Sequence, residues 1–272
     1  MPSHPDYVHG YHDKESARLD DQSACLEGLL HWDTAFPKGS RILEAGCGIG
    51  SQTRIIARKN PDCSFLSVDL STGSLQKAKD TIRSLNIPNV QFQIGDILNL
   101  QFADETFDHV FVCFTLEHLP SPLNALQSLR RVLKKGGTLM VIEGDHGSAY
   151  FHPDSPRAAA VIGSLVKLQS SAGGNALIGR ELHPLLTQAG FQNCRVSPRM
   201  VYADSSNPGL VDCFTRKTFI AMIAGVRERV IAEGLMEGME FDQGIDELER
   251  TARPGGVFCY TFFKAVAVKP ET

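Results

Sequence analysis

The sequence predicts an α/β fold: a doubly wound, mostly parallel seven-stranded sheet with helical insertions that form a cap. Three observations carry this reading. Apolar strand-like runs alternate with helix-like runs from Arg41 to Ile142, as βαβ units require. A glycine-rich turn, Gly46 to Gly50, joins the first of these strands to a helix. The run Phe107 to Phe114 is nearly all apolar, as expected of a central parallel strand buried on both faces.

Residues 14–35 read as a helix whose apolar face carries Ala17, Leu19, Ala24, Leu26, Leu29, Leu30 and Trp32. Pro37 and Gly39 break the chain before a strand over Arg41 to Ala45. Ser51 to Lys59 is the next helix, and Asn60 and Pro61 end it. Ser64 to Val68 is the second strand, closed by Asp69. Ser71 is a good N-cap for a helix to about Leu85. Val90 to Ile94 alternates apolar and polar residues as a third strand, and Phe107 to Phe114 is the fourth. Pro122 to Leu133 is a helix with a basic, glycine-rich stop at Lys134 to Gly137. Thr138 to Ile142 is the fifth strand.

The rhythm changes after Glu143. A polar stretch, GDHGSAYFHPDS, leads into an Ala-rich helix and a break at Gly173 and Gly174. Ile178 to Gly190 is helical, and Phe191 to Ser197 is strand six. Residues 199–256 form an insertion with helices near 209–234 and 243–252. Val257 to Val268 closes the sheet.

The composition bounds the function. The chain has 272 residues, 42% hydrophobic and 21% charged, with a net charge of −4. These are the values of a globular protein with a full core, and no basic run calls for nucleic acid. The N-terminus lacks a secretory pattern, and no apolar run has the length of a membrane span. Seven cysteines without a C-x-x-C pair point to a reduced, cytoplasmic chain. No metal site is expected, since His9 and His12 stand alone in a polar segment.

The chemistry begins at ILEAGCGIG, Ile42 to Gly50. An acid, Glu44, precedes Gly46, Gly48 and Gly50 in a strand–turn–helix setting. The turn lets a ligand approach the backbone, and the helix start offers free N–H groups. The dinucleotide fingerprint needs glycine at position 51, where Ser51 stands, and no Walker lysine follows. Asp69 ends strand two, where an acid can accept from ribose hydroxyls. Asp96 follows strand three and faces the amino edge of a purine. Three carboxylates would repel a polyphosphate and suit a cationic nucleoside.

With these residues in place, the chain resembles the class I S-adenosylmethionine-dependent methyltransferases of the small-molecule type, across residues 41–143. ILEAGCGIG, VDLS, GDILNL and FTLEHL resemble the family's first four motifs, and KKGGTLMVIE the run through strand five. The resemblance implies S-adenosylmethionine as cofactor and S-adenosylhomocysteine as product. Glu44 would hold the methionine ammonium, directly or through water, and Gly46 and Gly48 would give close passage. Asp69 would bind the ribose and Leu70 would pack on adenine. Asp96 and Ile97 would contact the adenine edge and face, and Cys113 and Phe114 would offer backbone groups at the methionine end. The N-terminal segment resembles a lid helix, with Tyr11, Arg18 and Gln22 closing over the cofactor carboxylate. Arg18 and Gln22 are equally readable as a solvated helix face.

The organisation that follows has a lid segment over 1–40 and a core over 41–198 and 257–272. Insertions over 145–177 and 199–256 would cap the acceptor pocket. His118 follows strand four and reads either as a structural cap or as a general base. Asp145 and His146 follow strand five, beside the expected methyl position, and read either as loop residues or as catalytic groups. The acceptor is a small organic molecule with an oxygen, nitrogen or carbon nucleophile. A non-catalytic S-adenosylmethionine-binding scaffold and a nicotinamide-dependent oxidoreductase are the rival readings.

Overall fold

A computed structural model describes residues 13–271 of the chain, with side chains from Glu15. One sheet of seven strands organises it, in the order β3-β2-β1-β4-β5-β7-β6. The strands are β1 (Arg41–Ala45), β2 (Ser64–Asp69), β3 (Val90–Ile94) and β4 (Phe107–Cys113), then β5 (Leu133–His152), β6 (Gln192–Asp204) and β7 (Val257–Val268). Strands β1 to β5 pair in parallel. Strand β7 runs antiparallel between β5 and β6.

The helices are α1 (Asp13–Leu30), α2 (Thr53–Lys59), α3 (Thr72–Ser84), α4 (Pro122–Val132), α5 (Pro156–Ser171) and α6 (Leu182–Gln188). Short 3-10 turns occupy Leu116–His118 and Ile178–Glu181. The later insertion holds a helical run over 208–232, whose middle, Val211–Ile220, is a π-helix, and a last helix, Gly238–Arg250. Ser71 caps α3 as expected, its Oγ accepting from the Ser74 N–H at 3.1 Å.

Alternation along the strands buries both faces of the sheet. Ile42, Phe111 and Cys113 pack into one apolar cluster, and their neighbours Leu43, Val110 and Val112 into the other. The carboxyl ends of β1 to β5 thus share one edge, where their loops meet.

Four expectations are corrected. The fifth strand does not stop at Ile142 but runs to His152, because β7 supplies hydrogen-bond partners along its length. Residues 145–152 are therefore strand and not loop. Strand six likewise continues past Ser197 to Asp204 against β7. Trp32 does not join the helix face, since α1 ends at Leu30; it is 67% exposed, with the Arg199 guanidinium 5.0 Å above its ring.

The fourth correction concerns the thiols. Cys25 of α1 and Cys213 of the π-helix form a disulfide, and the other five cysteines are free. It joins residues 188 apart in sequence, so it restricts the unfolded chain strongly. Replacing both by serine is expected to lower stability by about 2–4 kcal/mol in urea unfolding. Alkylation of the unreduced, denatured protein should label only the five free thiols by mass. Seven labels would remove the link. Among the described residues, no helix is long and apolar enough to cross a membrane.

Candidate active site

The loop after β1 turns at Gly46, whose φ is +79°. Its N–H donates to the Val68 carbonyl at 2.8 Å, which ties the turn to the end of β2. A Cβ on Gly46 would lie 2.4 Å from Thr115 Oγ1, so a side chain has neither the torsion nor the room. Gly48 also has positive φ, and its N–H donates to Asp69 Oδ2 at 2.8 Å. Asp69 Oδ1 accepts from the Ser71 N–H at 2.9 Å. One carboxylate thereby joins the glycine turn to the start of α3. Burial raises its affinity for a proton, and its backbone donors oppose the rise.

These loops enclose a cavity of about 620 Å³, a size that suits a nucleoside cofactor. Of the expected cofactor residues, Gln22, Gly46, Gly48, Asp69, Leu70, Asp96, Ile97, Cys113 and Phe114 line it. Asp96 Oδ1 accepts from the Leu98 N–H at 2.9 Å, which fixes its loop. Phe114 takes a left-handed backbone, φ +53°, as the chain leaves β4.

Two expected residues, Arg18 and Glu44, lie away from this cavity. Tyr11 falls outside the described residues. Arg18 does not line the large cavity. Its guanidinium meets the Glu15 carboxylate at 2.6 and 2.8 Å and Gln22 Oε1 at 2.9 Å. Glu44 sits behind the turn, where Oε2 accepts from Thr53 Oγ1 at 2.7 Å and Ser67 Oγ at 2.6 Å. It braces β1 against β2 and α2 and is absent from the cavity wall.

Burial pushes the Glu44 carboxyl up to about 7 from an ordinary 4.5, against the pull of its two hydroxyl donors. The folded state therefore keeps a proton that the unfolded chain releases near pH 4.5. This contribution to stability is complete below that pH and is lost as pH rises through about 7, to the extent of roughly 3 kcal/mol. Glu44→Gln is expected to remove that share of the pH dependence in urea unfolding between about pH 5 and about pH 8. An unchanged difference between the two pH values would exclude the assignment.

A second, smaller cavity adjoins the first. Both are lined by Leu19, Gln22, Phe114 and His118. His118 is in the 3-10 turn after β4, its Nε2 3.5 Å from Glu117 Oε1, and burial lowers its proton affinity. His146 is on the wall of the smaller cavity, with Nδ1 2.7 Å from Tyr260 Oη. Asp145, expected beside the methyl, is elsewhere. Its carboxylate makes a two-point contact with Arg180 at 2.6 and 2.8 Å and lines neither cavity. The side-chain alternation of β5 sends His146 inward and its neighbour to the other face.

Several site residues escape sequence reading. Thr115 fills the space against Gly46, and Lys77 of α3 donates to Ser16 Oγ of α1 at 3.0 Å, both residues on the large cavity's wall. Glu143 is fully buried. Its Oε1 accepts from the Thr115 and Leu116 N–H groups at 3.0 and 2.8 Å, and Oε2 has no partner among the described residues. Burial, then the nearby Glu117, pushes it well above the usual carboxylate range. Glu143 thus fixes the turn after β4 through Oε1. A buried acid at a strand end is a visible signal, but its partners lie 27 and 28 residues away.

A glycine turn and the carboxylates of Asp69 and Asp96 now stand around one cavity. The family model described as a methyltransferase domain matches residues 37–190, more than half of the chain.

The chain belongs to the methyltransferase domain family.

By that membership residues 37–190 form a class I S-adenosylmethionine-dependent methyltransferase domain, and S-adenosylmethionine is the cofactor of such a domain. An uncharacterized methyltransferase of Schizosaccharomyces pombe is 34% identical over 151 residues, 53% of this chain and 54% of that protein. The 27-O-demethylrifamycin SV methyltransferase of Amycolatopsis mediterranei is 30% identical over 48% of each chain. The chain spans about half the length of the curated relatives it matches. Among solved structures, the [4+2]-cyclase SpnF aligns with a TM-score of 0.55 and 21% identity, over 93% of this chain and 82% of its own. The Haemonchus contortus phosphoethanolamine N-methyltransferase 2, solved with S-adenosylhomocysteine, aligns with a TM-score of 0.57 and 17% identity, over 92% of this chain and 52% of its own. At these identities the structures show the shared fold.

The large cavity fits the cofactor on its own geometry. The turn at Gly46 and Gly48 leaves a groove without side chains. Asp69 and Asp96 supply acceptors for hydroxyl and amino groups, and their charge favours a cationic nucleoside.

Proposed function

We propose that this protein transfers a methyl group from S-adenosylmethionine to a small organic acceptor held in the smaller cavity. The observation that carries the reading is the wall of Leu19, Gln22, Phe114 and His118 that the two cavities share. In this reading the donor and acceptor spaces lie side by side across that wall.

The cofactor, when bound, supplies an electrophilic methyl on a sulfonium. The residues of the chain do the rest. The glycine turn and Asp69 hold the nucleoside, and the turn after β4, fixed by Glu143, positions Phe114 at the boundary. Phe214 and Phe219 of the π-helix, with Met222 in the helical turn that follows it, exclude water from the smaller cavity. Alignment in such a site carries much of the rate of a group transfer. The lid segment 1–40 and the insertions over 145–177 and 199–256 act as the cap in this reading.

Calorimetry with S-adenosylhomocysteine and with NAD tests the donor side. NAD binding without S-adenosylhomocysteine binding would end the proposal in favour of an oxidoreductase. A labelled-methyl screen over phenols, quinols and amines tests the acceptor side. Cofactor binding with no transfer across that panel would favour a scaffold.

A further inference from the structure

We propose that the smaller cavity is built for a phenol-type acceptor, with Tyr260 and His146 as a two-residue relay that takes up the hydroxyl proton. This rests on the reading of the larger cavity as the cofactor site.

The walls are chosen for a flat ring. Phe114, Phe214, Phe219, Phe262 and Met222 face the space, and Tyr260 packs 4.7 Å from the Phe262 ring and 5.3 Å from Phe219. The space is about 60 Å³, room for a hydroxyl and the adjoining edge of a ring but not for a peptide or a nucleotide. Its polar groups include a buried pair with no structural partner role evident elsewhere. Tyr260 is 1% exposed and His146 6%, both line the space, and Oη meets Nδ1 at 2.7 Å. The pair joins β7 to β5 at an irregularity in their ladder, where the His146 N–H donates to the Ala176 carbonyl at 2.9 Å. Gly144 leaves room for the hydroxyl: a Cβ there would lie 2.4 Å from Oη.

The charges around the pair fit a proton acceptor. Burial lowers the proton affinity of the His146 imidazole and raises that of the Tyr260 phenol oxygen. The groups acting on His146 are Glu117 and His118 from the turn after β4, Arg18 from α1 and Asp145 from β5. Glu117 favours the protonated imidazole, as does Asp145, while His118 and Arg18 oppose it. Glu117 and Arg18 also line the space. The π-helix contributes Phe219, edge-on to the imidazole, and Thr218.

The step balances. The acceptor O–H donates to Tyr260 Oη while Tyr260 O–H donates to His146 Nδ1, with the second imidazole proton on Nε2. As the acceptor oxygen forms its bond to the methyl carbon, the S–C electron pair stays on sulfur. The acceptor proton moves to Oη and the tyrosine proton to Nδ1. One positive charge leaves sulfur and one appears on His146, beside Glu117. A phenol, with acidity near that of tyrosine at about 10, is within reach of such a relay, whereas an alkanol, a far weaker acid, is not.

The test uses the full chain saturated with S-adenosylhomocysteine. Loss of S-adenosylhomocysteine binding itself would count against the cofactor reading, whereas failures at the acceptor stage count against the relay alone. Calorimetry should show phenol binding more tightly than benzylamine or cyclohexanol. Tyr260→Phe, which removes one oxygen, should weaken phenol about tenfold while S-adenosylhomocysteine affinity stays unchanged. The visible absorbance of bound 4-nitrophenol should show ionisation at lower pH in the wild type than in Tyr260→Phe or His146→Gln. Tighter binding of benzylamine than phenol to the wild type would overturn the proposal whatever the variants do. Equal phenol affinity and equal probe ionisation in wild type and folded variants would overturn it too.

Discussion

Gly46→Ala is expected to abolish cofactor binding while the sheet still folds. The residue holds φ +79°, and its added Cβ would lie 2.4 Å from Thr115 Oγ1 and 2.5 Å from Cγ2. Left-handed strain on alanine costs about 1 kcal/mol and overpacking about 1–3 kcal/mol. The turn relieves both by moving into the cavity, the space that the cofactor needs. S-adenosylhomocysteine affinity should fall at least about 100-fold, equal to about 3 kcal/mol, measured by calorimetry. Circular dichroism should remain that of the wild type. An affinity within threefold of wild type would show that the turn does not bear on the ligand. Gly46→Ala combined with Thr115→Ala removes the clash and leaves the torsion, so partial recovery is expected.

Asp69→Ala should have an effect of the same size by a different route. The carboxylate accepts from the Gly48 and Ser71 N–H groups at 2.8 and 2.9 Å and lines the large cavity. Removing it unties the glycine turn from α3 and takes away the acceptor for the ribose hydroxyls. Hydrogen bonds to a charged group are worth about 1.5–3 kcal/mol each, so the loss in S-adenosylhomocysteine affinity should reach 100-fold or more. Asp96→Ala should cost less, about tenfold, since Asp96 holds one loop N–H and, in the proposed reading, meets one edge of the base. A larger effect at Asp96 than at Asp69 would reverse the assignment of ribose and adenine ends. Both measurements need only binding, so they stand apart from the identity of the acceptor.

The two variants differ in what the sequence reveals. Gly46 was legible because a glycine turn after an apolar strand is a local pattern. Its clash partner, Thr115, was not, since β4 brings it there from 69 residues away. The strand ends at Asp69 and Asp96 were legible from composition and turn chemistry. Arg18 was misread because helix spacing alone placed it toward the cofactor. The carboxylate of Glu15, one helical turn before it, holds it instead. Glu44 was assigned to the ligand, yet hydroxyls from β2 and α2 enclose its carboxylate. Asp145 and His146 were read as a pair, but adjacent residues of a strand face opposite ways.

The sequence by itself determined the βαβ order, the glycine turn and the acids at successive strand ends, and with them the cofactor. These depend on short-range periodicity and on torsions that only glycine accepts. The tertiary structure alone decided the acceptor side. The lengths of β5 and β6 depend on hydrogen bonds from β7, and the smaller cavity draws its wall from α1, the turn after β4, the π-helix and β7. Tyr260 meets His146 across 114 residues of chain. Contacts of that separation leave no local pattern, because the partners are neighbours only after the sheet has closed.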